Sequence, residues 1–391
     1  MSYVLRDYQQ KASDAAVSFF NNKAKKTNAI MVLPTGSGKS LIIADIAARL
    51  DGHTLVFQPS KEILEQNYLK LCSYGVLDCS IYSASFGRKE VSRITFATIG
   101  SVINHPELFQ HFKNIIIDEC HLVNPKEGMY KSFLSMLKCK VLGLTATPYR
   151  LSSSRDFGSM LKFITRTRPC VFSEVIYQVQ ISTLLDMGYL AKLNYYAMNP
   201  VGWNELNLKV NTTGADFTDR SVTMEYERID FYGYLVHIVQ RLVNNTVTGS
   251  KRKGILVFTR FLKEAERLTW SIPGTAIVSG DTPKKERERI LEAFKAGEIP
   301  VVANVGVLTT GFDYPELDTI VMARPTMSLA LWYQIVGRAI RPHPNKEAGW
   351  IVDLCGNIKR FGEVKDLRLV DGGNGKWVVY SGYRQLTNVR F

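Results

Sequence analysis

The chain has 391 residues, of which 46% are hydrophobic and 22% charged, and its formal net charge is +13. One ordinary hydrophobic core does not support this length, so two domains and a small appendage are expected. Charged residues such as Arg6 and Asp7 near the start argue against a secretory signal, and the apolar runs are too short to cross a bilayer. We therefore expect a soluble, cytoplasmic, monomeric protein with no membrane partner.

The charged and metal-ligating residues narrow the partners. The six cysteines and six histidines are scattered without the close spacing that a zinc site requires. The positive charge favours a polyanion such as nucleic acid, although charge alone does not decide it. Residues 150–170 hold five basic residues, Arg150 among them, against the single acid Asp156. This segment is either a solvated loop or a surface that follows phosphates.

Short apolar, β-branched runs alternate with helical patterns over the first 150 residues. Strands are predicted over Ala29–Leu33, Thr54–Phe57, Arg93–Thr98, Asn114–Asp118 and Lys140–Thr145. Helices are predicted over Lys39–Leu50, Lys61–Leu71 and Lys126–Leu137. Apolar strands joined by helices indicate a parallel sheet that is covered on both faces.

The first predicted strand leads into a glycine-rich segment that opens a helix, Pro34-Thr35-Gly36-Ser37-Gly38-Lys39-Ser40. Its glycines permit a tight turn that points backbone N–H groups inward, and the helix N-terminus adds partial positive charge. This context predicts a phosphate loop for ATP, with Lys39 on the β- and γ-phosphates and the Ser40 hydroxyl on Mg²⁺. Leu33 departs from the pattern, which has a small residue at that position.

The strand Asn114–Asp118 ends in paired carboxylates, because Glu119, Cys120 and His121 follow Asp118 directly. A buried strand should not end in paired acids unless a cation faces them. We expect Asp118 to hold Mg²⁺ partly through water, and Glu119 to polarise the attacking water. His121 is expected to link the γ-phosphate site to neighbouring elements.

The pattern blurs after residue 150 and then resumes. Gln178–Leu185 is predicted to be helical, Lys192–Met198 a strand and Gly202–Thr218 a long loop. Further strands are predicted over Gly254–Phe258, Thr275–Val278, Val301–Asn304, Thr319–Ala323 and Gly349–Leu354. Helices are predicted over Lys263–Trp270, Lys284–Ala296 and Ser328–Ala339. At the end, a glycine turn over Gly372–Gly375 precedes a strand over Lys376–Tyr380.

Asp118-Glu119-Cys120-His121 is a variant of the DEAD/DEAH box, and the whole set of motifs resembles helicase superfamily 2. The other motifs follow in the expected order: Leu5-Arg6-Asp7-Tyr8-Gln9, Gln58-Pro59-Ser60-Lys61-Glu62, Ala97-Thr98-Ile99-Gly100-Ser101, Thr145-Ala146-Thr147-Pro148, Val257-Phe258-Thr259-Arg260, Thr309-Thr310-Gly311-Phe312-Asp313 and Gln334-Ile335-Val336-Gly337-Arg338-Ala339-Ile340-Arg341. The resemblance implies an α/β fold with two tandem RecA-like domains, each a mostly parallel sheet covered by helices, and ATP at their interface. We place these domains at residues 1–190 and 191–359, followed by a short tail over 360–391.

The resemblance also implies roles for individual residues. The nucleotide is contacted by the phosphate loop and by Arg6, Gln9, Gly311 and Asp313. Arg338 and Arg341 enter the γ-phosphate site from the second domain and stabilise the charge of the transition state. Nucleic-acid phosphates are contacted by Pro59, Thr98, Arg150, Thr259, Arg260, Thr309 and Thr310. The nucleotide state is coupled to strand movement by Thr145, Ala146, Thr147 and Gln334.

Within the superfamily, the chain resembles the RadD-like DNA repair helicases of bacteria. The likeness covers residues 1–360 and rests on segments such as Gly143–Arg150, Ser279–Pro283, Asn304–Asp313 and Arg324–Thr326. Their cysteine-rich zinc region has no counterpart here. The resemblance implies an ATP-dependent helicase or translocase on single-stranded or branched DNA, in repair or recombination. The alternatives are an RNA helicase, a duplex-DNA translocase and a nucleotide-gated clamp, because the strand-gripping contacts are mostly to phosphate. Aromatic residues between Arg150 and Trp203 are either core residues or a strand-separating wedge.

Overall fold

The strands form two large sheets, one from each half of the chain, and two small antiparallel sheets. The computed structural model describes residues 4–154, 158–244, 252, 254–308 and 314–389. No helix within these ranges is long and apolar enough to span a membrane.

The first half supplies an eight-stranded sheet and a separate hairpin. Its strands are β1 (Ala29–Val32), β2 (Thr54–Phe57), β3 (Cys79–Ser83), β4 (Arg88–Lys89), β5 (Ile94–Ala97), β6 (Asn114–Asp118), β7 (Lys140–Thr145), β8 (Tyr149–Ser154), β9 (Gly158–Phe163) and β10 (Glu174–Gln178). The sheet order is β10-β1-β7-β6-β2-β5-β3-β4, in which β4 alone is antiparallel to its neighbour, and β8 pairs with β9. Its helices are α1 (Asp7–Asn21), α2 (Lys39–Arg49), α3 (Lys61–Ser73), α4 (Ile99–Val102), α5 (Met129–Ser135) and α6 (Ile181–Asp186).

Apolar strands account for the two covered faces of this sheet. Along β1 the side chains alternate, because successive residues of a strand point to opposite faces. Ile30 and Val32 belong to one hydrophobic cluster, and Ala29 and Met31 belong to another. The sheet therefore has a core on each side, and the strand ends are the places where polar side chains can gather.

The second half repeats this architecture with a six-stranded parallel sheet. Its strands are β11 (Lys192–Ala197), β12 (Ile255–Thr259), β13 (Thr275–Val278), β14 (Val301–Val305), β15 (Thr319–Ala323) and β16 (Ala348–Asp353), in the order β11-β16-β15-β12-β14-β13. Its helices are α7 (Asp219–Arg228), α8 (Phe231–Val243), α9 (Leu262–Ser271), α10 (Lys284–Lys295), α11 (Leu329–Ala339) and α12 (Asn357–Phe361). The predicted α/β class with two mostly parallel sheets is confirmed, whereas the exact domain boundaries stay predictions.

The end of the chain forms a third, antiparallel sheet of β17 (Leu367–Asp371), β18 (Trp377–Ser381) and β19 (Arg384–Gln385). It packs on both halves. The Gln180 side chain exchanges two hydrogen bonds with the Leu369 backbone, at 2.7 and 3.0 Å, and the Val364 N–H donates to the Tyr195 hydroxyl at 3.0 Å. Of this sheet, the sequence predicted β18 alone.

Other differences have local causes. The helix predicted over Gln178–Leu185 begins only at Ile181, because Gln178 ends β10, a half-buried edge strand without clean alternation. The helix predicted from Lys126 begins at Met129, since Gly128 before it has a φ of 103°. The segment around Arg150, expected as a loop or phosphate surface, is the hairpin β8–β9.

Candidate nucleotide cleft and nucleic-acid interface

The phosphate loop lies where the sequence placed it, between β1 and α2. Gly36 and Gly38 have φ values of 83° and 79°, in the left-handed region that favours glycine. A Cβ added at Gly38 would lie 2.5 Å from Gln9 Nε2. Backbone conformation and lack of space therefore both select glycine at position 38, immediately before the helix that starts at Lys39.

Residues of α1 hold this loop from behind. The Tyr8 hydroxyl and Gln9 Nε2 both donate to the Ser37 carbonyl, at 2.7 and 2.9 Å. Gln9 Oε1 accepts from the Arg6 N–H at 2.9 Å, and the Arg6 guanidinium lies 4.0 Å from the centre of the Tyr189 ring. The structure thus places Arg6 and Gln9 beside the loop, and their predicted contacts with the nucleotide stay predictions.

The paired carboxylates face the loop lysine. Lys39 Nζ lies 3.5 Å from Glu119 Oε1, and the Glu119 N–H donates to Asp118 Oδ1 at 3.0 Å. Glu119 has a φ of 49°, a left-handed conformation that is strained for a residue with a side chain. Such strain commonly marks functional sites, and here it turns the Glu119 carboxylate toward Lys39.

The two carboxyl groups differ electrostatically. Burial, together with the charge of Glu119, raises the pKa of Asp118 to about 7. Burial also acts to raise the pKa of Glu119, but Lys39 and a hydrogen bond from His121 outweigh it and lower that pKa to about 2. A divalent cation at Asp118 would reverse its shift, because a bound ion favours the charged carboxylate.

His121 joins Glu119 to the residues predicted to couple the nucleotide state to movement. Its Nδ1 lies 3.3 Å from Glu119 Oε2, 2.9 Å from Thr145 Oγ1 and 3.1 Å from Thr147 Oγ1. Both threonines are fully buried, and Ala146 between them is half-buried. A change at Glu119 therefore has a short chain of polar contacts to the loop after β7.

The second half supplies the facing wall through α11. This helix packs so closely on the phosphate loop that a Cβ added at Gly337 would lie 2.7 Å from Thr35 Cγ2. A cavity of about 400 Å³ is lined by residues of both halves, among them Thr35, Gly36, Gly38, Lys39, Ser40, Asp118, Glu119, Gln334, Arg338 and Arg341. Burial lowers the pKa of Arg338 to about 10 and also lowers the pKa of Arg341. At neutral pH Arg338 stays cationic.

Sequence reasoning missed residues of the same cavity, namely Ile63, Gln66, Pro315 and Pro342. It also missed Lys346, which is buried and donates to the carbonyls of Pro315, Leu317 and Ala339 at 2.7, 3.1 and 3.0 Å. Burial lowers the pKa of Lys346 to about 8. Lys346 thereby ties the end of α11 to the wall of the cavity, although no motif marks it.

Two predicted strand contacts lie at the carboxyl edge of the first sheet. Pro59 follows β2 and Thr98 follows β5, and both are half-buried. The Thr98 hydroxyl lies 2.9 Å from Ser101 Oγ. Since β2 and β5 are adjacent and parallel, the two loops are neighbours at this edge.

The remaining predicted strand contacts have partners within the chain. Thr259 is 1% exposed, and its hydroxyl donates to the Asn304 carbonyl at 3.3 Å. Arg260 pairs with Asp216 and Asp219 at 3.4 and 2.7 Å. The Arg150 guanidinium donates to the Val123 carbonyl. Four further predicted residues lie outside the described ranges: Thr309, Thr310, Gly311 and Asp313.

Two family models match the chain. The model described as "Type III restriction enzyme, res subunit" matches residues 2–150, and the one described as "Helicase conserved C-terminal domain" matches residues 233–343. The first covers the phosphate loop and the paired carboxylates, and the second covers α11 and both arginines of the cleft.

Relatives and solved structures agree. The chain is 26% identical over 389 residues to the ATP-dependent helicase IRC3 of Saccharomyces cerevisiae, covering 90% of this chain and 52% of that protein. It is 27% identical over 378 residues to the DNA 3'-5' translocase XPB2 of Sulfurisphaera tokodaii, covering 88% and 80%. The Type ISP restriction-modification enzyme LlaBIII bound to DNA shares the fold, with a TM-score of 0.67, 20% identity and coverage of 90% and 28%.

The chain thus spans about half the length of IRC3. The finer resemblance to RadD-like helicases stays a prediction. The two models together span both walls of the cleft, and the relatives match along nearly the whole chain. The chain belongs to helicase superfamily 2.

Proposed function

We propose that the protein is an ATP-dependent DNA helicase or translocase, which couples hydrolysis of Mg-ATP to movement on DNA in repair or recombination. One observation carries this proposal. Lys39 and the paired carboxylates on one wall share a single cavity with Arg338 and Arg341 on the other. A triphosphate held there contacts both halves of the chain at once.

The residues of the cavity fit a magnesium-bound triphosphate. The Ser37 hydroxyl is buried in the loop and has no hydrogen-bond partner among the described residues. Ser40 and Asp118 supply the oxygen ligands that Mg²⁺ prefers. When bound, Mg²⁺ neutralises charge on the phosphate oxygens and on the leaving group.

The side chains then have separable tasks. Lys39 binds phosphate oxygens, and as it does so its ion pair with Glu119 weakens. The pKa of Glu119, which Lys39 helps to hold low, then rises, so the carboxylate becomes a better acceptor for a proton of the attacking water. Arg338 and Arg341 stabilise the charge that spreads over the transferred phosphoryl group.

Movement follows from a difference in affinity between two states. Contacts from both walls to the γ-phosphate favour a closed cleft, and loss of that phosphate favours an open one. The contacts of His121 with Thr145 and Thr147 give the Glu119 carboxylate a route to the loop after β7. Pro59 and Thr98, at the edge of the same sheet, are placed to hold one strand by its phosphates.

DNA is favoured over RNA as the track by the printed names of two relatives, a DNA 3'-5' translocase and a DNA 3'-5' helicase. The net charge of +13 supports a nucleic-acid partner of either kind.

The test is ATP turnover by the full chain, alone and with single-stranded DNA, duplex DNA, forked DNA or RNA of matched sequence. We expect the largest stimulation with single-stranded or forked DNA. Lys39→Ala should abolish turnover while leaving the melting temperature unchanged. Greater stimulation by RNA indicates an RNA helicase, and stimulation by duplex without strand release indicates a duplex translocase. Normal turnover by the Lys39→Ala variant contradicts the assignment of the cleft.

A further inference from the structure

The C-terminal sheet ends in an exposed aromatic tip. In the register of β18 and β19, Ser381 pairs with Arg384, so the hairpin turns through Gly382 and Tyr383 alone. The Tyr383 side chain is fully exposed. The turn itself is fixed, since the Gly382 carbonyl accepts from Arg368 at 2.8 Å and its N–H donates to the Asp366 carbonyl at 3.1 Å.

A basic groove of about 400 Å³ lies beside this tip, between α12, β19 and the loop after β15. Its lining includes Lys359, Arg360 and Arg384, and Glu205 is its one acid. Glu205 pairs with Arg360 at 3.1 Å, so the exposed side chains of Lys359 and Arg384 give the groove its positive charge.

The groove adjoins the loop that carries the predicted strand contacts of the second half. The Arg360 guanidinium lies 4.9 Å from the centre of the Phe217 ring, and Arg260 donates to the Phe217 carbonyl. Asp216, which pairs with Arg260, also accepts from the N–H of Met327 in the groove lining at 2.9 Å. A strand that passes Arg260 therefore meets this groove next.

We propose that the groove and the hairpin tip bind single-stranded nucleic acid beyond the motor's own contacts. Lys359 and Arg384 bind backbone phosphates, and the Tyr383 ring stacks on one unpaired base. Stacking on aromatic side chains combined with a basic groove is how proteins hold single strands without reading sequence. An unpaired base is required, because the bases within a duplex are already stacked on each other. This inference rests on the proposed function, since it extends the same track.

The first test measures the affinity of the full chain for a fluorescein-labelled oligothymidylate, with a non-hydrolysable ATP analogue at fixed salt. Tyr383→Ala should weaken binding about five- to tenfold, the lower end of the range for loss of one stacked base. Tyr383→Phe keeps the ring and should bind within about twofold of wild type. A matched control is Trp270→Ala, which removes a 74% exposed aromatic side chain beside Arg267 on the same half.

The second test measures the salt dependence of the same binding. Lys359→Ala and Arg384→Ala should each reduce the slope of log affinity against log salt by about one, the loss expected for one phosphate contact. None of these exposed changes should alter ATP turnover in the absence of nucleic acid.

Two outcomes overturn the inference. In one, Tyr383→Ala binds like wild type; in the other, Trp270→Ala loses as much affinity as Tyr383→Ala. In either case, normal stimulation of wild-type turnover by DNA leaves the proposed function standing. A wild-type chain that neither binds nucleic acid nor responds to it removes the proposed function and the inference together.

Discussion

The nucleotide cleft and the predicted nucleic-acid track place their residues differently. In the cleft, Lys39 already lies 3.5 Å from Glu119, and Arg338 lines the same cavity from the other half. Along the track, the Thr259 hydroxyl donates to a backbone carbonyl, and Arg260 pairs with two aspartates within its own half.

The difference follows from what each region binds. A triphosphate is small and highly charged, so a preformed cavity with fixed glycines and buried cations can hold it with little rearrangement. A nucleic-acid strand crosses a surface and is gripped at its phosphates by short polar groups. Those groups remain satisfied by the protein until the strand replaces their partners, since buried polar atoms without partners are costly. The cleft is therefore legible without its ligand, and the track is much less so.

The largest expected effect is on the far wall of the cleft. Arg341→Ala should lower ATP turnover about 10³-fold, the loss seen when an arginine supplied across an interface is removed. Arg341→Lys should restore little, because an ammonium lacks the planar fork that grips two phosphate oxygens. Steady-state turnover checks this, with binding of a fluorescent ATP analogue as the control for the first wall. Turnover within tenfold of wild type would place Arg341 outside the reaction.

The next effect tests the loop that carries Thr259 and Arg260. Glu264 is fully buried just after it and accepts from the Phe261 N–H at 3.1 Å. Burial raises the pKa of Glu264 from 4.5 to about 7. A pKa raised on folding adds stability below the unfolded value and loses it as the pH rises through the folded value.

Glu264→Gln removes this titration while keeping an acceptor for the Phe261 N–H. Relative to that variant, the wild-type free energy of unfolding should fall by about 3 kcal/mol between pH 4.5 and pH 7 and level off above it. Urea unfolding of both chains at several pH values measures the difference. Two curves that stay parallel across this range would mean that Glu264 is not held in its protonated form.

The same contrast explains how far the sequence could lead. Lys39 and Asp118 were found because each follows a strongly apolar strand, and the carboxyl ends of parallel strands meet at one edge. The strand pattern alone thus predicted both the sheets and one wall of the cleft. Resemblance to superfamily 2 supplied Arg338 and Arg341, which no local pattern distinguishes from surface arginines.

What the sequence could not predict depends on partners far along the chain. Lys346 is fixed by three backbone carbonyls from separate segments, and backbone acceptors leave no mark in the sequence. Arg260 is held by Asp216, 44 residues away. The strands β17 and β19 were missed because each is short and stable only by pairing with β18.

Gly337→Ala tests how tightly the two walls of the cleft must approach. Alanine is favoured over glycine inside a helix by about 1 kcal/mol, so α11 itself should not suffer. Its Cβ would lie 2.7 Å from Thr35 Cγ2, which forces the walls apart. We expect turnover to fall about tenfold with an unchanged melting temperature, in line with the ~1–3 kcal/mol cost of overpacking.

Two controls accompany this variant. Thr35→Ser removes the methyl group that the new Cβ meets, so the double variant should regain part of the turnover. Gly280→Ala adds a Cβ where no atom lies within 4 Å and should behave like wild type. If Gly337→Ala turns over normally, the walls tolerate a wider cleft than the one described above.

The smallest expected effect compares two threonines of the predicted track. Thr98→Val removes a half-buried hydroxyl at the sheet edge and should weaken nucleic-acid binding about two- to fivefold, the value of one modest hydrogen bond. Thr259→Val removes a hydroxyl that donates to the Asn304 carbonyl, and should cost about 1 kcal/mol of stability with little change in binding. Fluorescence anisotropy and urea unfolding separate the two results. Equal losses of affinity would show that the Thr259 hydroxyl leaves Asn304 for a phosphate when the strand arrives, so that both halves of the track rearrange on binding.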